Sequence, residues 1–309
     1  MGAYVIRRLL LLVPTLLVVY TITFVVMHAT PGGPFDMAGD KPLPAAVKKN
    51  LERKYNLDKP LYYQYLAYLG NAVRGDFGPS YAQRNRTVAD IIKEFFPNSA
   101  KLGLVAIAVS VVLGVGLGVV AAVKQNTVTD YLAMFLAVVG ISTPAYVTAS
   151  VLIWVLSLKL NLVPTNGWGG VFDRRIIIPV IALSFQPIAV FARYTRASVL
   201  GVLRQDYVRT ARAKGVHERM VLWRHVLRNA LIPIATVGGV LFVFIITGSF
   251  VVETIYNIPG IGNYFVRSAT GRDYPMLMGL TLLFAFLIVV ANLLVDLVYA
   301  WLDPRISYK

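Results

Sequence analysis

Three groups of residues in this 309-residue chain have the types and spacing from which chemistry is built. Asn292 and Asp296 stand four apart inside an apolar run, so on a helix they share one face. A carboxylate is costly there and marks either a proton relay or an ion pair. Asp296 lies near the end of its run, about two helical turns from Arg305, which makes pairing with a basic loop the cheaper state and a transport role the alternative. Glu253 closes another apolar run, just ahead of Asn257-Ile258-Pro259-Gly260-Ile261-Gly262, where it can meet a substrate, the loop backbone or the membrane interface. His217, Glu218 and His225 form the third group. They miss the H-E-x-x-H spacing of a helical zinc site and have no third ligand, so they read as interfacial or partner-facing.

Other chemistries are excluded outright. Without cysteine there is no disulfide framework, no thiolate zinc and no thiol nucleophile, and the redox compartment stays open. No G-x-x-x-x-G-K-[ST] loop occurs, so nucleotide energy must come from another polypeptide. Gly114, Gly116 and Gly118 imitate a G-x-G pattern but lie inside an apolar run, where Gly114 and Gly118 are a small-xxx-small helix-packing pair. The Asn85-Arg86-Thr87 triplet carries no weight as a glycosylation site. Paired carboxylates, or a nucleophile with its base, do not converge in any apolar run, so the chain is not read as an enzyme.

The elements that must hold these residues are membrane helices. A hydrophobic fraction of 57% and a mean hydropathy of +0.65 place the chain in a bilayer. Six apolar windows can cross roughly 30 Å of hydrocarbon: residues 9–28, 102–123, 131–158, 176–192, 231–252 and 276–302. The first follows Arg7 and Arg8 like a secretory signal, but it is too long and lacks a cleavage site, so it is a retained anchor. Pro144, Pro179 and Pro187 predict kinked helices packed in a bundle. The expected fold is therefore an all-α, polytopic membrane protein with six transmembrane helices.

The +15 formal charge is topological: basic residues flank the apolar runs and form no separate basic domain, which argues against nucleic acid as a partner. Six spans put Arg7, Arg8, the basic stretch 193–228, Arg305 and Lys309 on one side, and the positive-inside rule makes that side the cytoplasm. The expected organisation is a cytoplasmic tail and first helix over 1–28, an external cap over 29–100, and a five-helix core over 101–309 with a cytoplasmic loop at about 193–230. In the cap, Tyr55, Tyr62, Tyr63, Tyr65 and Tyr68 make an aromatic face. It either packs on the bundle or sits at the interface, or it docks an external partner.

The cytoplasmic loop carries the most information. Asp206 to Lys214 is helix-compatible, Gly215 is a stop, and a second helical run follows. Thr210, Ala211 and Ala213 are small enough to enter a partner's groove, while Arg209, Arg212 and Lys214 offer charge to its rim. A positive-inside loop on lipid headgroups is the bland alternative. The segment 205–233 resembles the EAA loop of ATP-binding-cassette importer permeases, most closely the oligopeptide and dipeptide branch. Arg209, Thr210 and Ala211 stand where the general pattern has Glu-Ala-Ala ahead of Gly215, and the proline comes late, at Pro233; both departures resemble that branch's own R-T-A-R-A-K-G and R-H-x-L-R-N-A-L-[IL]-P.

The resemblance extends over Ile6-Arg7-Arg8-Leu9, Ala29-Thr30-Pro31-Gly32-Gly33-Pro34-Phe35, Gly75-Asp76-Phe77-Gly78-Pro79-Ser80, Glu253 to Gly262, Arg272-Asp273-Tyr274 and Pro304-Arg305. It is similar to the B-type permeases of that branch. The resemblance implies a type I importer permease fold and a location in the cytoplasmic (inner) membrane of a bacterium or archaeon. It also implies half a pathway for oligopeptides or dipeptides, a second permease subunit that is a different chain, two cytoplasmic ATPases that hold ATP and Mg, and an external peptide-binding protein. ATPase coupling would then fall to Arg209, Thr210, Ala211, Arg212, Ala213, Lys214, Gly215, His217 and Glu218. The gate or pathway would involve Glu253, Asn257, Pro259, Gly260, Gly262, Asn292 and Asp296. The chain itself is expected to bind no cofactor. Alternatives are a permease for nickel, glutathione or another non-peptide solute, and an ion-coupled secondary transporter.

Overall fold

A computed structural model describes residues 2–38, 41–42, 44–83 and 85–302. Pro304, Arg305 and Lys309 lie outside the described residues. Among the described residues the regular structure is helical apart from a two-residue antiparallel pairing of β1 (Met37–Ala38) with β2 (Lys41–Pro42) and an isolated bridge between Pro79 and Thr87. Five helices among the described residues are long and apolar enough to cross a membrane, or six spans if one bent pair is counted. α1 (Gly2–Ala29) leads into the cap helices α2 (Ala45–Lys54) and α3 (Leu61–Val73). α4 (Val88–Val123) is opened by a capping box between Thr87 and Asp90 and runs unbroken through residue 100. Its 36 residues make it about 54 Å long, so its first turns rise above the hydrocarbon and belong to the cap.

The third expected span is broken. α5 (Val128–Ser142) and α6 (Ala145–Leu152), extended by a π-helical stretch to Lys159, meet at 107°. Pro144 N-caps α6 and cannot continue α5. The pair nonetheless returns the chain across the bundle. α4 runs parallel to α7 (Ile177–Leu203): Gly114 lies against Ile188 and Gly118 against Ala192 and Thr195. α5 runs antiparallel to α7, since Asp130 meets Arg196 and Gly140 meets Ala189. A Cβ on Gly114 would lie 2.5 Å from that of Phe191, and one on Gly118 2.5 Å from that of Thr195, so the small-xxx-small pair sets the α4–α7 contact.

Past α7 come α8 (Asp206–Ala213), α9 (Glu218–Met220), a π-helical stretch Val221–Leu227 and α10 (Arg228–Ile246). α11 (Phe250–Ile255) and α12 (Gly262–Thr270) turn the chain at the cap end, and α13 (Tyr274–Leu302) returns. α13 is antiparallel to α1: Arg8 pairs with Asp296 at 2.9 Å, and the Tyr274 hydroxyl donates to Met27 O at 3.4 Å. Both end helices therefore meet at one end of the bundle, opposite the cap. Gly239 is needed for packing, because a Cβ there would collide with Val295.

The cap's aromatic residues divide. Tyr65 and Tyr68 pack against Tyr20, Phe24, Met27 and Met278 of the bundle, with the Tyr20 hydroxyl donating to Tyr65 O at 2.6 Å. Tyr55 stacks with Phe35 and Tyr81, while Tyr62 and Tyr63 are exposed. Three motifs far apart in sequence join the cap to the bundle here. Arg272 donates to Gly33 O at 3.4 Å, Lys48 pairs with Asp36, and the buried Asp273 accepts from the Ser80 hydroxyl and from Tyr81 N at 3.1 Å. Ionising the Tyr81 hydroxyl beside Asp273 would bury a second negative charge, so burial raises its pKa.

Candidate functional site

At the end of the bundle opposite the cap, α8 packs one side on the membrane helices and leaves the other side exposed. Val208 and Ala211 are buried in a cluster with Ala122, Val199, Val221 and Val226, and they anchor α8 like a peg. Ala211 therefore does not belong to a partner-facing row: its methyl faces the chain's own core, because residues 208 and 211 share the inward side of the helix. The outward row is Arg209, Thr210, Arg212, Ala213 and Lys214, all exposed. Arg209 reaches Asp206 at 3.5 Å across solvent, a contact worth little by itself.

Gly215 ends α8 with φ at +75°, in the left-handed region that a side chain resists. Gly215 N bonds Arg212 O at 2.9 Å and Val216 N bonds Ala211 O at 3.2 Å, the paired bonds of a Schellman stop, with Val216 packed back on the α8 cluster. Across this turn Arg212 donates two hydrogen bonds to Glu218, at 2.6 and 3.1 Å, which holds its guanidinium pKa above the ordinary value. His217 caps α9, its Nδ1 accepting from Arg219 N at 3.3 Å. Among the described residues no cluster of three His, Cys, Asp or Glu could hold a metal.

Two residues outside the expected set connect α8 to the next helix. Asn229 Nδ2 donates to the Tyr207 hydroxyl at 2.7 Å, and both reach toward His225 O, at 3.3 and 3.4 Å. That carbonyl lies in the π-helical stretch, whose widened turn alters the ordinary backbone pairing. Ser198 of α7 donates to Ala230 O at 2.9 Å and joins the same point to the bundle. Asn229 stands at the boundary between the basic stretch and the apolar run after it, whereas Tyr207 lies inside the basic stretch, where nothing local marks it out.

At the cap end, Glu253 is buried and committed to its own loop. Its Oε1 accepts from the Ser99 hydroxyl at 2.7 Å, its Oε2 from Gly262 N at 2.8 Å, and Ser99 Oγ in turn accepts from Ile261 N at 2.8 Å. A Cβ on Gly260 would overlap the carboxylate, which accounts for the glycine. Asn98 donates to Pro259 O at 2.8 Å and accepts from Trp168 Nε1 at 3.1 Å. Of the options for Glu253, the structure shows the loop backbone: the carboxylate has no free face for a substrate. Asn257 and Pro259 are exposed on this loop, and Gly260 and Gly262 are buried beneath it.

Asn292 and Asp296 do share a face of α13, and Asp296 pairs with Arg8 on α1; Arg305, the partner expected from sequence, lies outside the described residues. A further buried acid escaped the sequence analysis. Asp130 opens α5 and receives Arg196 of α7 through two bonds at 2.5 and 2.7 Å, plus Asn126 N at 3.0 Å. It lay one residue outside the 131–158 window, and nothing local tied it to an arginine in the next helix.

Comparison with known proteins gives these sites a context. Residues 114–308 match the family described as the binding-protein-dependent transport system inner membrane component, and residues 1–103 match the N-terminal region of such membrane components. The oligopeptide transport system permease protein OppB of Salmonella typhimurium is 44% identical over 305 residues, covering 99% of each chain. The dipeptide transport system permease protein DppB of Bacillus subtilis is 44% identical over 307 residues, covering 99% of this chain and 98% of its own. Among solved structures, an inward-facing MetNI methionine ABC transporter aligns with a TM-score of 0.56 at 13% identity, over 69% of this chain and 96% of that one. An amino acid ABC transporter crystallised with histidines aligns with a TM-score of 0.52 at 17% identity, over 69% and 94%. These distant structures share the fold over about two thirds of this chain.

Proposed function

Because the chain belongs to the inner membrane components of binding-protein-dependent transport systems, we propose that it forms half of an ATP-driven import pathway for oligopeptides or dipeptides. The other half is a second, different permease chain. Two ATP-binding subunits on the cytoplasmic side hold ATP and Mg, and an external binding protein delivers the peptide to the cap. Both termini and α8 then lie in the cytoplasm, in accord with the basic residues at that end. Family membership sets aside the ion-coupled alternative.

One observation carries the coupling assignment: α8 is pegged to the bundle by Val208 and Ala211 and presents Arg209, Thr210, Arg212 and Ala213 outward. A short helix fixed on one side and exposed on the other fits a groove in a partner. Displacing it moves α10 through the Tyr207–Asn229 contact and α7 through Ser198. The peptide assignment rests on the 44% identical relatives named for peptide transport. Affinity purification of the chain from its native membrane tests the whole reading. Stoichiometric ATPases, with hydrolysis raised by peptide-loaded binding protein, support it. ATPases stimulated instead by a nickel- or glutathione-loaded binding protein reassign the cargo, and a chain recovered alone refutes the reading.

A further inference from the structure

α7 has three packed sides and one open side. Phe185, Ala189 and Arg196 face α5, Ile188, Ala192 and Thr195 face α4, and Phe191 and Ser198 face α10. The remaining side carries Gln186, Arg193, Ala197 and Gly201, spaced seven, four and four apart, and all four are exposed. The open side thus lies between the contacts with α5 and those with α10 and forms the floor of a groove walled on one side by α5. Its composition is wrong for lipid: the exposed face of α1 reads Leu9, Leu10, Val13, Leu17, Ile22 and Val25, whereas this face holds an amide and a guanidinium. Gln186 lies inside the apolar run 176–192, and Arg193 stands just past its end, about two turns nearer the cytoplasm. Among the described residues it has no ion-pair partner, while its neighbour Arg196 is satisfied by Asp130. A space of about 480 Å³ opens beside Arg193, Tyr194 and Ala197, bounded on the α5 side by Met134 and Val138.

A polar side chain within a span, as Gln186 is, faces a water-filled cavity or another polar group, and Arg193 at the cytoplasmic edge of the same face continues that polar line. On the proposed reading of the chain as half a pathway, we infer that the open face of α7 is the wetted wall of that pathway. Arg193 on this wall takes the carboxylate of an anionic substrate, such as the free C-terminus of a peptide. The planar guanidinium offers paired donors that match a carboxylate. Gln186, two turns toward the cap, supplies a neutral hydrogen-bonding step on the same line.

The natural chain contains no cysteine, so single cysteines placed in it report accessibility directly. In the assembled transporter, Ala197→Cys and Gln186→Cys are treated with membrane-impermeant thiol reagents of opposite charge, with modification read on this chain by mass. Val18→Cys, on the apolar face of α1, is the lipid-side control. Both groove cysteines react and Val18→Cys does not. At Ala197→Cys the anionic reagent is favoured over the cationic one by about ten-fold, a ratio that Arg193→Gln abolishes and Arg193→Lys partly keeps. In the same vesicles, Arg193→Gln lowers ATP-driven uptake of a free-acid peptide relative to its amide by about ten-fold. The binding protein is common to both assays, so that change belongs to the permease. Groove cysteines as inert as Val18→Cys, or ratios indifferent to Arg193, overturn the inference. Absence of ATP-driven uptake by the unaltered complex instead refutes the importer reading, and the labelling result stands apart from it.

Discussion

Arg212 on α8 and Glu218 at the start of α9 clasp each other through two hydrogen bonds, at 2.6 and 3.1 Å, directly across the Gly215 turn. Both side chains are exposed, so the clasp contributes only about 0.2–1 kcal/mol to folding. Its value is directional, because it sets the angle between the exposed helix and the one that enters the membrane. Glu218→Ala is expected to leave expression and assembly intact while uncoupling ATP hydrolysis from uptake. Exchanging the charges, Arg212→Glu with Glu218→Arg, restores part of the coupling. Equal uptake per ATP in all three proteins would remove the clasp from the mechanism.

Gly215 can be tested by conformation alone, since nothing lies within 4 Å of a Cβ built there and φ is +75°. Asn at this position retains coupling, and Ala costs about 1–2 kcal/mol through the left-handed backbone. Pro, fixed near −65°, breaks the turn. Uptake should fall in the order Gly, Asn, Ala, Pro, with assembly lost only for Pro; a Gly215→Pro transporter with normal assembly and uptake contradicts the lever.

Glu253 is sealed beneath its own loop, accepting from Ser99 and Gly262. Glu253→Ala removes both acceptors and leaves the donors buried, at a cost of about 1–3 kcal/mol for each. Glu253→Gln keeps one acceptor and costs less. Limited proteolysis across residues 257–262 should show the loop opened in the alanine variant and closed in the glutamine variant. Equal protection of both would mean that the carboxylate does not hold the loop.

Asp130 and Arg196 form a buried pair, with the Asp130 side chain 2% exposed. Removing Arg196 strands the buried carboxylate and costs about 3–5 kcal/mol, whereas removing Asp130 leaves a partly solvated guanidinium and costs less. Asp130→Asn combined with Arg196→Gln should recover much of that loss. The check is a double-mutant cycle on the temperature at which the purified complex dissociates, and simple additivity would show that the two groups are not coupled.

Asp36 holds the cap loop by accepting from Lys48 and Gly33 N, and those contacts keep its carboxyl below the usual carboxylate range. A carboxyl depressed in the folded state stabilises it above the unfolded pKa of about 3.9, and that contribution disappears as pH falls through the folded value. The Lys48 ammonium is shifted up, mainly by the same bond, so its contribution is complete below the unfolded pKa of about 10.4 and disappears as pH rises through the folded value. Protease resistance of the cap should therefore be flat near neutrality and fall on the acid side below about pH 4. Asp36→Asn should lower the neutral plateau and flatten the acid limb, and an unchanged acid limb would exclude this carboxyl as its source.

The sequence by itself determined the solvent, the apolar runs and their packing code. Apolar length is a local property, so the runs ending near His28, Val123 and Leu302 could be read directly, and the 3.6-residue period puts Gly114 and Gly118 on one face whatever lies opposite. Gly215 was legible for the same reason, because a glycine between two helical runs forms its turn from neighbouring backbone.

The tertiary structure alone decided which partner each polar residue took and which way each helix face pointed. Asp296 found Arg8, Asp130 found Arg196, and Asp273 found Ser80, each across most of the fold or from a different helix. Such pairings depend on helix order and rotation, which no window of sequence contains. Ala211 shows the same limit at one residue: its small size suits a partner's groove and the chain's own core equally, and only the rotation of α8 about its axis assigned it to the core. The angle at Pro144 also needed the bundle, because proline ends a helix locally, while the direction of the next one is set by what it packs against.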